Sequence, residues 1–276
     1  MDLSSTIKLS NGVEIPVVGL GTFRSEKGAQ TQNAVAWALE AGYRHIDTAA
    51  MYGNEEDVGL GVAQSRVRRE DVFITTKLRN DDQGYESTLK ACEESLRTLK
   101  MDYIDLYLVH WPVTGLRGKT WDAFIKLYEQ GKCRAIGVCN YTIRHLDELL
   151  ATAPLVPMIN QIEIHPFLYR KDLIDYCAAK GIAVEAYSPL CKARRMDDPR
   201  LVSVAGRVRR SVAQVMIRWT VQHGWISLPK SAQQERIVEN ANVFDFELSP
   251  ADMLTLDGMD EGYYTVRQDW IPDKWV

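Results

Sequence analysis

Three residues that can hold a charge or pass a proton stand where short apolar runs end: Asp47, Lys77 and His110. A fourth, Tyr52, lies five positions past Asp47. A free tyrosine, with a pKa of about 10, is a poor acid near neutral pH. A buried ammonium beside it favours the phenolate and lowers that value. Asp47 is expected to pair with Lys77, keeping it charged and oriented, while His110 hydrogen-bonds a substrate oxygen. None of the four is a strong nucleophile, so the reacting group must come from elsewhere, which implies a cofactor. Asp47 and Lys77 also fit a plain buried ion pair tying two strands. Tyr52 and His110 at neighbouring ends shift the balance toward chemistry.

These residues need a scaffold that gathers strand ends. Eight apolar runs read as strands: residues 17–20, 44–47, 72–76, 104–109, 135–138, 158–162, 183–186 and 226–228. Helical patterns lie between them. Over residues 85–100, Tyr85, Leu89, Cys92, Leu96 and Leu99 share one face. Over 211–223 the face is Val212, Val215, Met216 and Trp219. Ser249-Pro250 opens a late helix as N-cap and first turn. Before the first strand, 7–9 and 13–15 flank Asn11-Gly12, which predicts a hairpin with a two-residue turn. The α/β alternation predicts a (β/α)8 TIM barrel, with an N-terminal β-hairpin, a C-terminal tail and residues 1–276 in a single domain. Polar residues then mark the C-terminal strand ends, where such barrels place their sites: Asp47, Lys77, His110, Asn140, Gln161, Glu163, Tyr187 and Lys230.

A doubly wound sheet is the rival. It needs a glycine-rich phosphate loop after its first strand. Gly19-Leu20-Gly21 lacks the third glycine, and Gly59-Leu60-Gly61 lies inside a helical pattern. The 33 Lys plus Arg against 37 Asp plus Glu leave a net charge of -4, which predicts no attraction to nucleic acid or an anionic membrane. No apolar run approaches the roughly 20 residues needed to span a bilayer. The opening Met1-Asp2-Leu3-Ser4 is unlike a secretory signal. Five widely spaced cysteines without a C-x-x-C motif predict reduced thiols, a cytoplasmic location and no zinc cluster.

The run Gly42-Tyr43-Arg44-His45-Ile46-Asp47-Thr48-Ala49, followed by Tyr52, resembles a signature of the aldo-keto reductase family. So do Thr75-Thr76-Lys77-Leu78, residues 102–112 ending in His110-Trp111-Pro112, and Leu228-Pro229-Lys230-Ser231 with Arg236 and Glu239-Asn240. The resemblance implies a (β/α)8 barrel that reduces aldehydes or ketones with NADPH as hydride donor. It implies Asp47, Tyr52, Lys77 and His110 as the catalytic set. It places Tyr187 against the nicotinamide, Asn140 and Gln161 on its carboxamide, and Ser188 and Leu190 at the pyrophosphate. Lys230, Ser231 and Arg236 would hold the 2′-phosphate of NADPH, as suits a compact ammonium and a forked guanidinium. Glu239 and Asn240 would face the adenine. Phe23, Trp111 and the tail would line the substrate pocket. The compact loops are most similar to the group of diketogluconate reductases and protozoan prostaglandin F synthases. A monomer with a small-molecule carbonyl substrate is expected.

Four positions depart from the family pattern. Cys139 replaces a usual Ser, Cys191 a usual Gly, Phe23 a frequent Trp and Arg79 a frequent Trp. At Cys191 the lost glycine predicts a changed backbone. If strand geometry continues past Lys77, Arg79 points into the barrel mouth and selects anionic or hydroxylated substrates; if the loop turns, it faces solvent. His45 is expected as a satisfied interior histidine, and His165 in a structural or surface role. Lys192, Arg194 and Arg195 either fold over the pyrophosphate or form a solvated face; Arg207, Arg209 and Arg210 are expected as a solvated face. Trp270 and Trp275 either cap the pocket or pack on the barrel. Two other functions compete. A metal-dependent barrel hydrolase or isomerase would draw on Asp47, His110 and His165, but Lys77 repels a cation there. A non-enzymatic cofactor-binding subunit would keep Lys230 and Arg236 without turnover.

Overall fold

The apolar runs become parallel strands because each is covered on both sides, by the barrel interior and by a helix layer. The computed structural model describes residues 1–275. A hairpin of β1 (Thr6–Lys8) and β2 (Glu14–Pro16) comes first. The eight barrel strands follow: β3 (Leu20–Gly21), β4 (His45–Asp47), β5 (Phe73–Leu78), β6 (Ile104–Val109), β7 (Cys133–Cys139), β8 (Ile159–Glu163), β9 (Ala183–Tyr187) and β10 (Ile226–Leu228). Neighbours pair in parallel from β3 through to β10. The ring closes where Val18 bridges Ser227, through Gly19 N–H to the Ser227 carbonyl at 2.9 Å and Ser227 N–H to the Val17 carbonyl at 2.9 Å. This is the (β/α)8 barrel that the alternation predicts.

Several boundaries differ from the sequence expectation. Strand β5 runs to Leu78, so Lys77 lies within it rather than after it. Strands β7 and β8 also extend to Cys139 and Glu163, whereas β3 holds only two residues. In the hairpin only Gly12 is left-handed, at φ 88°. Leu9 pairs with Val13, and Gly12 N–H bonds the Leu9 carbonyl, giving a three-residue turn in place of the expected Asn11-Gly12 pair. Asn11 instead donates its side-chain amide to the Arg134 carbonyl at 2.9 Å, tying the hairpin to the N-terminal end of β7.

Two helices begin at the serine caps that the sequence marks. Ser211 caps the helix Val212–Gln222 and exchanges hydrogen bonds with Gln214; Ser249 does the same with Asp252 at the helix Pro250–Asp257. In the helix Tyr85–Leu99 the buried face is Thr88, Cys92, Ser95, Leu96 and Leu99, and Tyr85 stands exposed at its first turn. No helix among the described residues is long and apolar enough to cross a membrane.

The glycines that fail as a phosphate loop serve close packing. A Cβ on Gly19 would sit 2.7 Å from His45 Nδ1, at the seam where β3 meets β10, and one on Gly59 2.2 Å from the Leu99 carbonyl oxygen. Gly137, in β7, is equally tight, with an added Cβ 2.5 Å from Ile159 Cγ2 and 2.6 Å from the Ile159 carbonyl. Backbone cannot yield as a side-chain tip can. Gly137→Ala is expected to cost about 1–3 kcal/mol by overpacking, read as a lowered thermal midpoint; an unchanged midpoint would contradict the packing described.

Candidate active site

Strands β4 and β5 set the centre of the site. Their register places Asp47 opposite Thr75, and Lys77, two residues on, reaches back to it. Lys77 Nζ donates to both Asp47 oxygens at 2.7 Å and to the Thr48 carbonyl at 2.8 Å. Tyr52 arrives on a short 3-10 turn, Ala50–Tyr52, ended by Gly53 in the left-handed region at φ 68°. Asn54 fixes that turn by accepting from Thr48 Oγ1 and donating to the Thr22 carbonyl. The Tyr52 hydroxyl consequently lies 3.5 Å from Lys77 Nζ. His110 follows β6 directly, its ring 5.7 Å from that of Tyr52 and edge-on to it. The four residues that the sequence singled out meet at one barrel end.

Electrostatics at this point reflect burial first. Lys77 has no exposed surface. Burial acts to lower its pKa, but the Asp47 charge overrides that and holds it above the ordinary lysine value. Burial pushes the Tyr52 phenol up, and the opposing pull of Lys77 does not overcome it. The expectation of a lowered phenol is corrected: burial keeps the proton on the hydroxyl. Burial, reinforced by Lys77, holds His110 well below the ordinary histidine range, so its ring is neutral.

A cleft of about 930 Å³ opens over this centre, in the range of a small-molecule site. On one side it is lined by Asn140, Gln161, Tyr187, Ser188 and Leu190. Asn140 is left-handed at φ 62°, donates to the His110 carbonyl and accepts from the Tyr187 hydroxyl at 2.8 Å. Gln161 donates to Asp47 and Glu185 and accepts from the Cys139 thiol. One Asn140 N–H and one lone pair on the Gln161 oxygen remain uncommitted by these bonds, a donor and an acceptor that suit a carboxamide. Farther along lie Lys230, Ser231, Arg236, Glu239 and Asn240. No carboxylate forms an ion pair with Lys230 or Arg236 among the described residues. Ser188, Cys191, Lys192 and Ala193 all hold φ near 50–57°. The Cys191 position thus holds a left-handed backbone without being glycine.

The other side is aromatic. Phe23, exposed, stands 5.0 Å from the Tyr52 ring. Trp111 packs edge-on to Trp270 at 5.0 Å and stacks with Trp275 at 5.4 Å. Trp270 lines the cleft, whereas Trp275 anchors the tail, its carbonyl accepting from Arg117, Arg144 and His145. Lys192 lines the cleft and donates to the Thr265 carbonyl, while Arg195 pairs with Glu261 outside it. Arg207 and Arg210 pair with Asp252 and Asp245.

Arg79 is not in the cleft wall. Strand β5 ends at Leu78 and the chain turns into a 3-10 helix, Asn80–Asp82, so the alternation that aims Lys77 inward stops. Its side chain is 50% exposed and faces Asp81. The reading of Arg79 as a pocket residue is therefore corrected. His165 is fully buried beside Glu163, a structural position and not a surface one. His45 is buried in the interior and bonded to Thr75 Oγ1 at 2.9 Å, as expected. Strand-end reading missed Glu185, midway along β9, whose signal is an acid inside the otherwise apolar Ala183-Val184-Glu185-Ala186.

Comparison with known proteins agrees with this architecture. A sequence profile described as the aldo/keto reductase family matches residues 17–261. A glyoxal reductase of Bacillus subtilis is 51% identical over 259 residues, covering 94% of each chain. A 9,11-endoperoxide prostaglandin H2 reductase of Trypanosoma cruzi is 47% identical over 258 residues, covering 92% of this chain and 91% of its own. Among solved structures, a Bombyx mori aldo-keto reductase in complex with NADP superposes with a TM-score of 0.91 at 36% identity, covering 98% of this chain and 97% of its own. The barrel, the motifs in their order and these likenesses over nearly the whole length lead to one conclusion: the chain belongs to the aldo/keto reductase family of oxidoreductases.

Proposed function

We propose that the chain reduces aldehydes or ketones to alcohols with NADPH, and that Tyr52 is the general acid. The observation that carries this is the Tyr52 hydroxyl 3.5 Å from a buried, Asp47-paired Lys77 at the floor of the cleft. Bound NADPH supplies the hydride. His110, neutral, donates a hydrogen bond to the carbonyl oxygen and holds it toward Tyr52. As negative charge grows on that oxygen, Tyr52 passes it a proton, and the Lys77 ammonium stabilises the phenolate left behind. Asp47 keeps Lys77 charged and fixed. Asn140, Gln161 and Tyr187 orient the nicotinamide, while Ser188 and Leu190 meet the pyrophosphate. Lys230, Ser231 and Arg236 hold the 2′-phosphate, for which two cations outside any ion pair among the described residues are suited; a bare ribose diol more often meets an acid. Glu239 and Asn240 lie on the adenine side. Phe23, Trp111 and Trp270 offer apolar walls to the substrate. The B. subtilis relative makes small dicarbonyls a first substrate panel. Five free, buried cysteines suit a reducing, cytoplasmic setting.

Three measurements test this reading. Tyr52→Phe should keep NADPH affinity, followed by fluorescence titration, and lose about 10²–10⁴-fold in kcat; wild-type turnover would end the assignment. Arg236→Ala should raise the KM for NADPH about tenfold or more, the equivalent of one charge-assisted hydrogen bond, with little change for NADH. Equal affinities for both cofactors in the wild type would refute the phosphate site. Arg79→Trp should leave the kcat/KM ratio between 2-carboxybenzaldehyde and benzaldehyde unchanged, because Arg79 lies outside the cleft.

A further inference from the structure

Beneath the Asp47–Lys77 pair, inside the barrel, lies a second carboxyl. Glu185 has no exposed surface. Its Oε2 accepts from Gln161 Nε2 at 2.7 Å, and the same nitrogen donates to Asp47 Oδ2 at 2.8 Å. One side-chain amide therefore joins the two acids. Glu185 Oε1 has no hydrogen-bond donor among the described residues, and its nearest ring nitrogen, His45 Nε2, is 3.7 Å away.

The charge balance of this interior is unequal. Facing Glu185 are His45 and Asp47 from β4, Lys77 from β5 and Cys139 from β7, with Tyr52 above Lys77; β3 and β10 add no titratable group. Burial lowers His45 to about 3, so it is neutral, and burial raises the Cys139 thiol, so it is neutral too. One ammonium remains against two carboxyls. If both ionised, a net negative charge would sit in a sealed interior, at a cost of several kcal/mol. Asp47 has two bonds from Lys77, while Glu185 has none. The proton belongs on Glu185.

We propose that Glu185 is a positioning residue for the reduction: as a neutral carboxylic acid it leaves Asp47 the single carboxylate opposite Lys77, and its ionisation weakens Tyr52 as a proton donor. This rests on the reading of Tyr52 as the general acid. Ionised Glu185 releases its proton to solvent and competes with Asp47 for the Gln161 amide. It also sets a second negative charge near Lys77, and so disfavours the phenolate that proton donation leaves behind. Burial first, then the Asp47 charge, raises the Glu185 carboxyl to about 8.

The sign for stability follows. The folded-state pKa of about 8 lies above the value of roughly 4.3 for an unfolded glutamate. Between those values the native state holds a proton that the unfolded chain has released. Stability therefore falls as pH rises through that window and levels off above it.

The test compares the full chain with Glu185→Gln, which keeps an acceptor for Gln161 and cannot ionise. Without cofactor, the wild type should show the infrared carbonyl stretch of a protonated carboxyl that titrates away near pH 8, and the variant should lack it. The variant should also gain thermal stability over the wild type as pH rises from acid toward 8. In turnover, the wild-type kcat for reduction should fall through an ionisation near pH 8, and the variant should move that limb upward by roughly one pH unit or more. Superimposable spectra and stability profiles would overturn the proposal. So would an unmoved kcat limb in an active variant. A wild type that titrates as described but reduces no carbonyl would overturn the proposed function and leave the protonation state of Glu185 standing. Should Glu185→Gln not fold, Glu185→Asp keeps a carboxyl at the position, and a shifted band and limb serve the same comparison.

Discussion

The ion pair between Lys77 and Asp47 is the constraint around which the rest of the site is arranged. Burying an ammonium without partners is prohibitive, and a buried pair holds only when its geometry is complete. Here Lys77 has both Asp47 oxygens and the Thr48 carbonyl within 2.8 Å. That demand fixes the β4–β5 register, the loop of Thr48 and Asn54, and through them the turn that delivers Tyr52. The pair is weak evidence for stability. Its use lies in holding a buried positive charge beside a phenol at the floor of the cleft.

Burial decides the protonation of Tyr52, which keeps its proton, and of His110, which stays neutral, whereas the Asp47 charge keeps Lys77 ionised against burial. A site so arranged stores an acid, a neutral hydrogen-bond donor and one cation. It has no nucleophile poised to attack. Such a set suits a reaction in which the bond-forming electrons come from a bound cofactor and the protein supplies a proton and a field.

Much of this was legible in the sequence, and the failures have physical causes. Strands buried on both faces read as continuous apolar runs, so all eight could be found, and polar residues at their C-terminal ends marked the site. Strand lengths were less legible, because a lysine that reaches inward looks like the end of an apolar run; Lys77 lies inside β5 for that reason. Arg79 was open to two readings because alternation holds only while the chain stays extended, and nothing in Arg79-Asn80-Asp81-Asp82 fixes where it stops. Tyr52 misled in another way. A neighbouring ammonium is visible as a residue type, whereas the depth of burial that outweighs it depends on the folded surroundings. Glu185 escaped because strand ends attract attention, while an acid in mid-strand shows its meaning only when its partners across the barrel are known.

The seam between β3 and β10 has a wider consequence. The ring is closed there by a few backbone hydrogen bonds joining Val17, Gly19 and Gly21 to Ser227 and Pro229, more than two hundred residues away. Every other barrel strand pairs with its neighbour in the chain, across a shorter loop. Opening this one junction would therefore leave a curved sheet with the other seven pairings made. Lys230 and Ser231 lie just past β10, Gly21 ends β3 and Phe23 lies just past it, so the two lips of this seam both border the cleft. A ligand spanning those lips would act as a clasp on this junction, and resistance to local opening would then rise with occupancy.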